Sequence, residues 1–190
     1  MQDEDIETVS QLHIKSLSDT ISSKIGSHYL ENIYKSATND KKNTTALVAL
    51  DKNKIIGVVV ATKNLDQLES LIKKNLFIAG YVQIAVAFIK GKFPLLGLFK
   101  RIRFEKELVR NFKKKYLTFV IIYTVKNHRG KGIATKLVKK VISSIKDVNY
   151  FYVDTISDNQ PAIKLYKSLG FKLQKKIEDS LLFLFTKKNA

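Results

Sequence analysis

The chain has 190 residues, 34 Lys/Arg against 17 Asp/Glu and no cysteine, for a formal charge of +17. That length predicts a single domain with a sizeable core, and 45% hydrophobic with 27% charged residues is the balance of a globular protein. The missing cysteines exclude a disulfide scaffold, a thiolate nucleophile and a cysteine metal site, and they predict a reducing, cytoplasmic setting.

The acidic, polar opening MQDEDIETVSQLH lacks the cationic start and apolar stretch of a secretory signal. Asp5 to Leu17 predicts a first helix: Ile6, Val9, Leu12 with His13, and Leu17 share a face, and carboxylates occupy the first turn, where the helix dipole favours them. SHYLENIYKSAT predicts a second helix, with Ser27 as N-cap and Tyr29, Leu30, Ile33 and Tyr34 on its apolar side. TTALVALDKNKIIGVVVAT predicts a hairpin, two β-branched runs around the polar turn Asp51-Lys52-Asn53-Lys54. Residues 65–112 read as helical in two or three pieces, broken near Gly91 and Pro94. Within them Leu76 to Ile89 is nearly apolar around Gln83. It is too short for a bilayer, which needs ~20 residues, and reads as a buried core helix. A strand at about Tyr116–Val125 follows, then a loop and the helix IATKLVKKVISSI. YFYVDTIS is another strand, NQPAIKLYKSL a short helix closed by Gly170, and LLFLFTK a last strand. Strands and helices thus alternate around one central α/β sheet. His13, His28 and His128 have no ligand spacing, so no metal is expected.

Charge is uneven along the chain. Residues 1–51 hold five Lys/Arg against eight Asp/Glu, and residues 52–190 hold 29 against nine. The second part therefore suits an acidic partner: a phosphorylated cofactor, a nucleic acid or an anionic lipid. A lysine-rich proteome gives the same excess with no function attached.

The loop NHRGKGIATKL, Asn127 to Leu137, joins a strand to a helix through two glycines and three cations. Backbone N–H groups at a helix start have no intrahelical acceptor, and the dipole adds positive potential, so such a junction suits an anion. Glycine allows the tight turn and close backbone approach, while Arg129 and Lys131 add charge, Arg with a fork suited to phosphate. Taken alone, Gly-x-Gly is more often a turn required by geometry. There is no Gly-x-Gly-x-x-Gly and no Walker loop.

A second segment, SDNQPAIKLYKSLGF from Ser157 to Phe171, lies about thirty residues on. Arg129-Gly130-Lys131-Gly132-Ile133-Ala134 followed by Asn159, Ala162, Tyr166 and Gly170-Phe171 resembles the GNAT superfamily of acetyl-CoA-dependent N-acetyltransferases. The first piece is similar to its Arg/Gln-x-x-Gly-x-Gly/Ala loop, the second to its Asn-x-x-Ala-x-x-x-Tyr helix with a Gly-Phe exit. The resemblance covers Tyr116 to Lys187, and the hairpin at 44–62 fits the family's second and third strands. It implies a central mixed, mostly antiparallel sheet flanked by helices, with a helical insertion, residues 65–112, between the third and fourth strands. It implies that amides of Gly130, Lys131, Gly132, Ile133, Ala134 and Thr135, beside Arg129, hold the CoA pyrophosphate. The strand edge Tyr123, Thr124 and Val125 would bind the pantetheine arm as an added strand, with Asn159 meeting it from the other side. Tyr166 would protonate the leaving thiolate. Asn159 as an N-cap and Tyr166 as a packed helix residue are the plainer alternatives.

Two departures stand out. Many members carry a carboxylate near the position of Thr118, but residues 116–125 contain no Asp or Glu; Glu105 and Glu107 lie upstream and suit a charged helix face. The family also tends to begin with a strand, and only MQDE precedes the first helix here. Loss of that strand would leave a sheet edge to be covered. In the 65–112 insertion, the stretch Lys90 to Lys115 holds ten Lys/Arg against two Glu, interleaved with Phe93, Phe99, Phe104 and Phe112. It reads either as helices with outward cations or as an acceptor-side lid with a membrane-surface face. The expected activity is acetyl transfer from acetyl-CoA to a primary amine of a small anionic molecule, an amino sugar among the candidates. Peripheral membrane contact fits the same charge, and no nucleic acid is expected. A silent acyl-CoA-binding module is the alternative.

Overall fold

The structure, a computed structural model, describes residues 1–76, 78–91 and 115–187. Helices α1 (Ile6–Ser16), α2 (Ile21–Ile25) and α3 (Ser27–Asn39) precede the hairpin β1 (Thr44–Asp51) and β2 (Lys54–Thr62). Helices α4 (Leu65–Asn75) and α5 (Ile78–Ile89) follow. Then come β3 (Tyr116–Thr124), α6 (Ile133–Ser144), β4 (Tyr150–Ile156), α7 (Gln160–Ser168), β5 (Lys172–Ile177) and β6 (Ser180–Thr186). The strands form one sheet in the order β1-β2-β3-β4-β6-β5. Neighbours are antiparallel except β3 and β4, so the sheet is mixed and mostly antiparallel.

The hairpin turns on Lys52 and Asn53, both in the left-handed region at φ 46° and 64°, which matches the twist of the flanking strands. In β2 the run Val58-Val59-Val60-Ala61 is buried throughout because the sheet is covered on both faces. Val58 and Val60, with Ile121 and Tyr123 of β3, pack on Val9, Leu30, Ile33, Tyr34 and Leu68 from α1, α3 and α4. On the other face Val59, Ala61, Phe119, Phe151 and Val153 pack on α6 and α7. Gly57 lets α6 sit close on β2: a Cβ there would stand 2.8 Å from Ile133 Cγ2 and 3.2 Å from the Tyr123 carbonyl.

Several elements differ from expectation. Gly26, at φ 134° where few side chains can go, takes the N-cap position of α3, and Ser27 is its first helical residue. The short α2 and strand β5 have no counterpart in the sequence reading. α5 is not a buried core helix. Ala87 and the half-buried Ile84 pack on Ile21, Ile25 and Tyr29, but Tyr81, Val82, Val86, Phe88 and Ile89 face outward and are exposed. The five-residue α2 offers too narrow a seat to cover both sides of it. The break near Gly91 is present, at φ 61°. The Pro94 break, the aromatic residues from Phe93 to Phe112 and Glu105 and Glu107 lie outside the described residues. Among those described, no single helix is long and apolar enough to cross a membrane. α4 and Gly80–Ile89 pass that test only as a pair, bent by 93°.

No strand precedes α1, so β1 ends the sheet on one side, where the Met1 nitrogen donates to the Ala46 carbonyl at 3.3 Å. α1 is fixed instead by a buried polar group. His13 Nδ1 meets the Tyr34 hydroxyl at 2.7 Å, and the Tyr123 hydroxyl donates to the Val9 carbonyl at 2.8 Å. Burial lowers the His13 pKa from its ordinary 6.5 to about 4. The unfolded chain therefore takes up a proton as pH falls below 6.5, while the fold resists it until about 4. Stability is full above 6.5 and falls by about 3 kcal/mol between those values. His13→Gln should flatten this decline, as read from urea unfolding at pH 7 and pH 4.5.

Candidate active site

β3 and β4 pair over four residues only, Tyr116↔Tyr150 to Phe119↔Val153. Beyond that both strands continue, β3 held by β2 and β4 by β6, with no pairing between them. The parting begins at a bulge: Phe119 faces Ala61 and Ile121 faces Val60, so Val120 is extra in β3. The result is a wedge with an open backbone edge on each wall, the geometry an extended ligand can fill as an added strand.

Ladder parity says which residues present that edge. The Val125 amide donates to the Ile56 carbonyl at 2.9 Å. In an antiparallel pair the hydrogen-bonded positions alternate, so Tyr123 and Ile121 also spend their backbone groups on β2, and those of Ile122 and Thr124 point into the wedge. The expected edge Tyr123–Val125 is thus corrected to Ile122 and Thr124. Tyr123 turns its side chain to α1, and the Val125 carbonyl accepts from His128 at 2.8 Å, closing the loop.

At the wedge mouth the chain makes a 3₁₀ turn, Lys126–His128, and then runs through Arg129 to Gly132 into α6. Gly130 and Gly132 are left-handed, at φ 77° and 73°, and a Cβ on either would meet nothing within 4 Å. The first helical bond runs from the Lys136 amide to the Gly132 carbonyl, and no side chain caps the helix. The amides of Ile133, Ala134 and Thr135 therefore have no intrahelical acceptor, and they face an open approach lined by glycine. Lys131 is exposed beside them. Arg129 is engaged elsewhere: its Nη2 donates to the Ser16 carbonyl at 2.7 Å and its Nε to the Thr124 carbonyl at 3.3 Å. Its guanidinium ties the loop to the end of α1, and this structure gives it no outward fork.

On the other wall, Asn159 caps α7: its Oδ1 accepts from the Ala162 amide at 3.2 Å. Tyr166 is buried among Phe171 and Phe183, ring centroids 6.0 and 5.8 Å away. Burial, and then the charge of Asp154, push its pKa well above the ordinary 10, so it stays protonated through the alkaline range. Asp154 and the bulge at Val120 were not read from the sequence as site features. The available signal was one carboxylate in the otherwise apolar strand YFYVDTI. A cavity of about 310 Å³ lies elsewhere, on the hairpin side of α6, lined by Ala49, Leu50, Ile56, Lys136, Leu137 and Lys140. It is apart from the wedge and does not mark the site.

Residues 11–171 match the family model described as Acetyltransferase (GNAT) family. The chain belongs to the GNAT family. Curated members similar to it include N-alpha-acetyltransferase 30 of Xenopus laevis, 26% identical over 118 residues, covering 61% of this chain and 41% of that protein. The human protein of the same name is 26% identical over 118 residues, 31% of its own length. The chain thus spans less than half of the curated relatives it matches. Among solved GNAT-like folds, an N-acetyltransferase from Staphylococcus aureus Mu50 superposes with a TM-score of 0.64 at 20% identity, covering 97% of both chains. Arabidopsis thaliana NAA60 in complex with a bisubstrate analogue gives 0.57 at 19%, covering 98% of this chain and 95% of that one. PaiA N-acetyltransferase of Thermoplasma acidophilum in complex with coenzyme A gives 0.58 at 13%, over 98% and 96%. At these identities the likeness is one of fold.

Gly132→Val should lower CoA affinity more than tenfold while the protein remains folded. The left-handed residue becomes strained, at a cost of order 1–3 kcal/mol, and its side chain fills the approach to the helix amides. Calorimetric titration with CoA and the circular dichroism spectrum check the two halves.

Proposed function

We propose that this GNAT chain moves an acetyl group from acetyl-CoA to a primary amine, by direct attack within a ternary complex. The observation that carries the reading is the pairing of the β3–β4 wedge with the glycine loop and uncapped start of α6 at its mouth. Acetyl-CoA supplies the activated acetyl thioester. The amides of Ile133, Ala134 and Thr135 would hold its anionic end. Ile122 and Thr124 would bind the pantetheine amides from one wall, and Asn159 from the other. The bulged backbone at Val120 would donate to the carbonyl oxygen where charge develops. Tyr166, held protonated, would give its proton to the departing sulfur. The described chain brings reactants together and carries protons, and it has no thiol to form an acyl-enzyme.

The acceptor is the finer part of the proposal. Similar curated proteins are named N-alpha-acetyltransferases, and a structural neighbour is the ribosomal-protein-S18-alanine N-acetyltransferase of Escherichia coli. These names support a peptide α-amine. The cationic excess after residue 51 supports an acceptor with negative charge, which a small anionic amine such as an amino sugar phosphate would also supply. Thiol release separates these, using acetyl-CoA with the peptide Ser-Glu-Glu-Ala, its counterpart Ser-Lys-Lys-Ala, and glucosamine 6-phosphate. The expected order places the acidic peptide above the basic one by at least tenfold at low salt, with the gap closing as salt rises. CoA binding with no thiol released from any acceptor would favour a silent acyl-CoA-binding module.

Tyr166→Phe keeps the ring and its packing and removes the hydroxyl. The expected loss is roughly 10²–10⁴-fold in kcat with acetyl-CoA affinity unchanged. A fully active variant would leave Tyr166 as a core residue.

A further inference from the structure

The acceptor amine reaches the site as an ammonium and must lose a proton before it can attack. The splayed half of β3, Val120 to Thr124, offers no carboxylate and no imidazole. His13 lies behind it, 2% exposed and occupied with Tyr34. The Tyr123 hydroxyl is donated to Val9.

The opposite wall is different. The last β3–β4 pair is Phe119↔Val153, so Asp154 is the first residue of β4 past the end of that ladder. On its other side β4 remains paired, Asp154 opposite Leu182 of β6, which fixes its backbone. Strand alternation separates it from Phe151 and Val153, which pack on the α6–α7 face, and places it with Tyr152, whose neighbours include Leu65 at the start of α4. Asp154 is half-buried, across the wedge from the bulge at Val120. Tyr166 packs on the opposite face, in the α6–α7 core, and is close enough to feel the carboxylate's charge. An acid and a base thus approach the wedge from opposite faces of the sheet.

We propose that Asp154 is the general base of the reaction, taking the proton from the acceptor ammonium directly or through one water. The inference rests on the acetyl-transfer reading above. In the balanced step, the amine nitrogen forms its bond to the thioester carbon, and the C–S bond breaks with its electron pair going to sulfur. Of the two protons the nitrogen sheds, one passes through Asp154 to solvent. The other is matched by the proton that Tyr166 gives to the thiolate and regains. The family's carboxylate near Thr118 is replaced here by one on the neighbouring strand, on the other side of the same wedge.

Asp154→Asn is nearly isosteric and is expected to bind CoA normally by calorimetry while kcat falls about 10²–10³-fold. Asp154→Glu should recover part of the loss. The decisive comparison uses whichever acceptor of the panel turns over, beside its analogue with an aminooxy group in place of the amine, which is uncharged at neutral pH. With that nucleophile no proton has to be removed first, so the Asp154→Asn loss should shrink below tenfold. An equal loss with both nucleophiles would make Asp154 an orienting group and overturn the proposal, as would an undiminished kcat with the amine. Wild-type protein that binds CoA and acetylates nothing would sink the acetyl-transfer reading and this inference with it. Normal wild-type turnover beside an active Asp154→Asn variant would sink the base alone.

Discussion

The site depends on a backbone pairing that stops. β3 and β4 lie parallel for four residue pairs and then separate, although each continues to be held by its outer neighbour. Unpaired strand edges inside a sheet are costly unless something else satisfies them. The extra residue at Val120 makes the parting geometric rather than a matter of sequence repulsion, because a bulge bends its strand and increases its local twist. Ladder parity, the position of Asp154 and the approach to the α6 amides all follow from that one discontinuity. Had the strands stayed paired to their ends, the same side chains would have been ordinary members of a closed sheet.

The loop at the mouth is held from two directions. On one side the absence of a side chain at Gly57 lets Ile133 settle onto β2, which fixes where α6 starts. On the other, Arg129 joins the Thr124 carbonyl at the end of β3 to the Ser16 carbonyl at the end of α1. A cation at a helix C-terminus complements the dipole there. α1 is itself pinned to β3 through the Tyr123 hydroxyl and to α3 through His13 and Tyr34. The wall of the wedge, the loop and the first helix therefore form one mechanically continuous unit.

Much of this was legible in the sequence where local rules govern. The hairpin turn, the glycine loop and the α6 and α7 helices follow from turn chemistry and helical periodicity, and the family resemblance rests on them. β5 was missed because KLQKKI has neither β-branched density nor clean alternation; it is an outer strand whose lysines face water. α2 is only five residues, too short for a period to show. The outward side of α5 was misjudged because an apolar run does not say how wide a surface will receive it. Arg129 beside two glycines suggested a phosphate fork, and only the arrival of α1 reveals the carbonyl that occupies it. The choice of Ile122 and Thr124 over Tyr123 and Val125 needs the register of β2. Asp154 needs the end of the β3–β4 ladder. Neither is a property of a local stretch.

The two borders of the sheet are unlike in their chemistry. β5 carries Lys172, Lys175 and Lys176, and a second copy of that strand laid alongside would bring cations against cations. β1 reads Thr-Thr-Ala-Leu-Val-Ala-Leu before its first charge at Asp51, and the backbone contact printed on its rim is that of the Met1 nitrogen with Ala46. Negative design against self-pairing is thus concentrated at one border. In a concentrated solution, or when α1 loosens in acid as His13 takes its proton, growth of the sheet by a further strand would start at β1 and leave β5 bare.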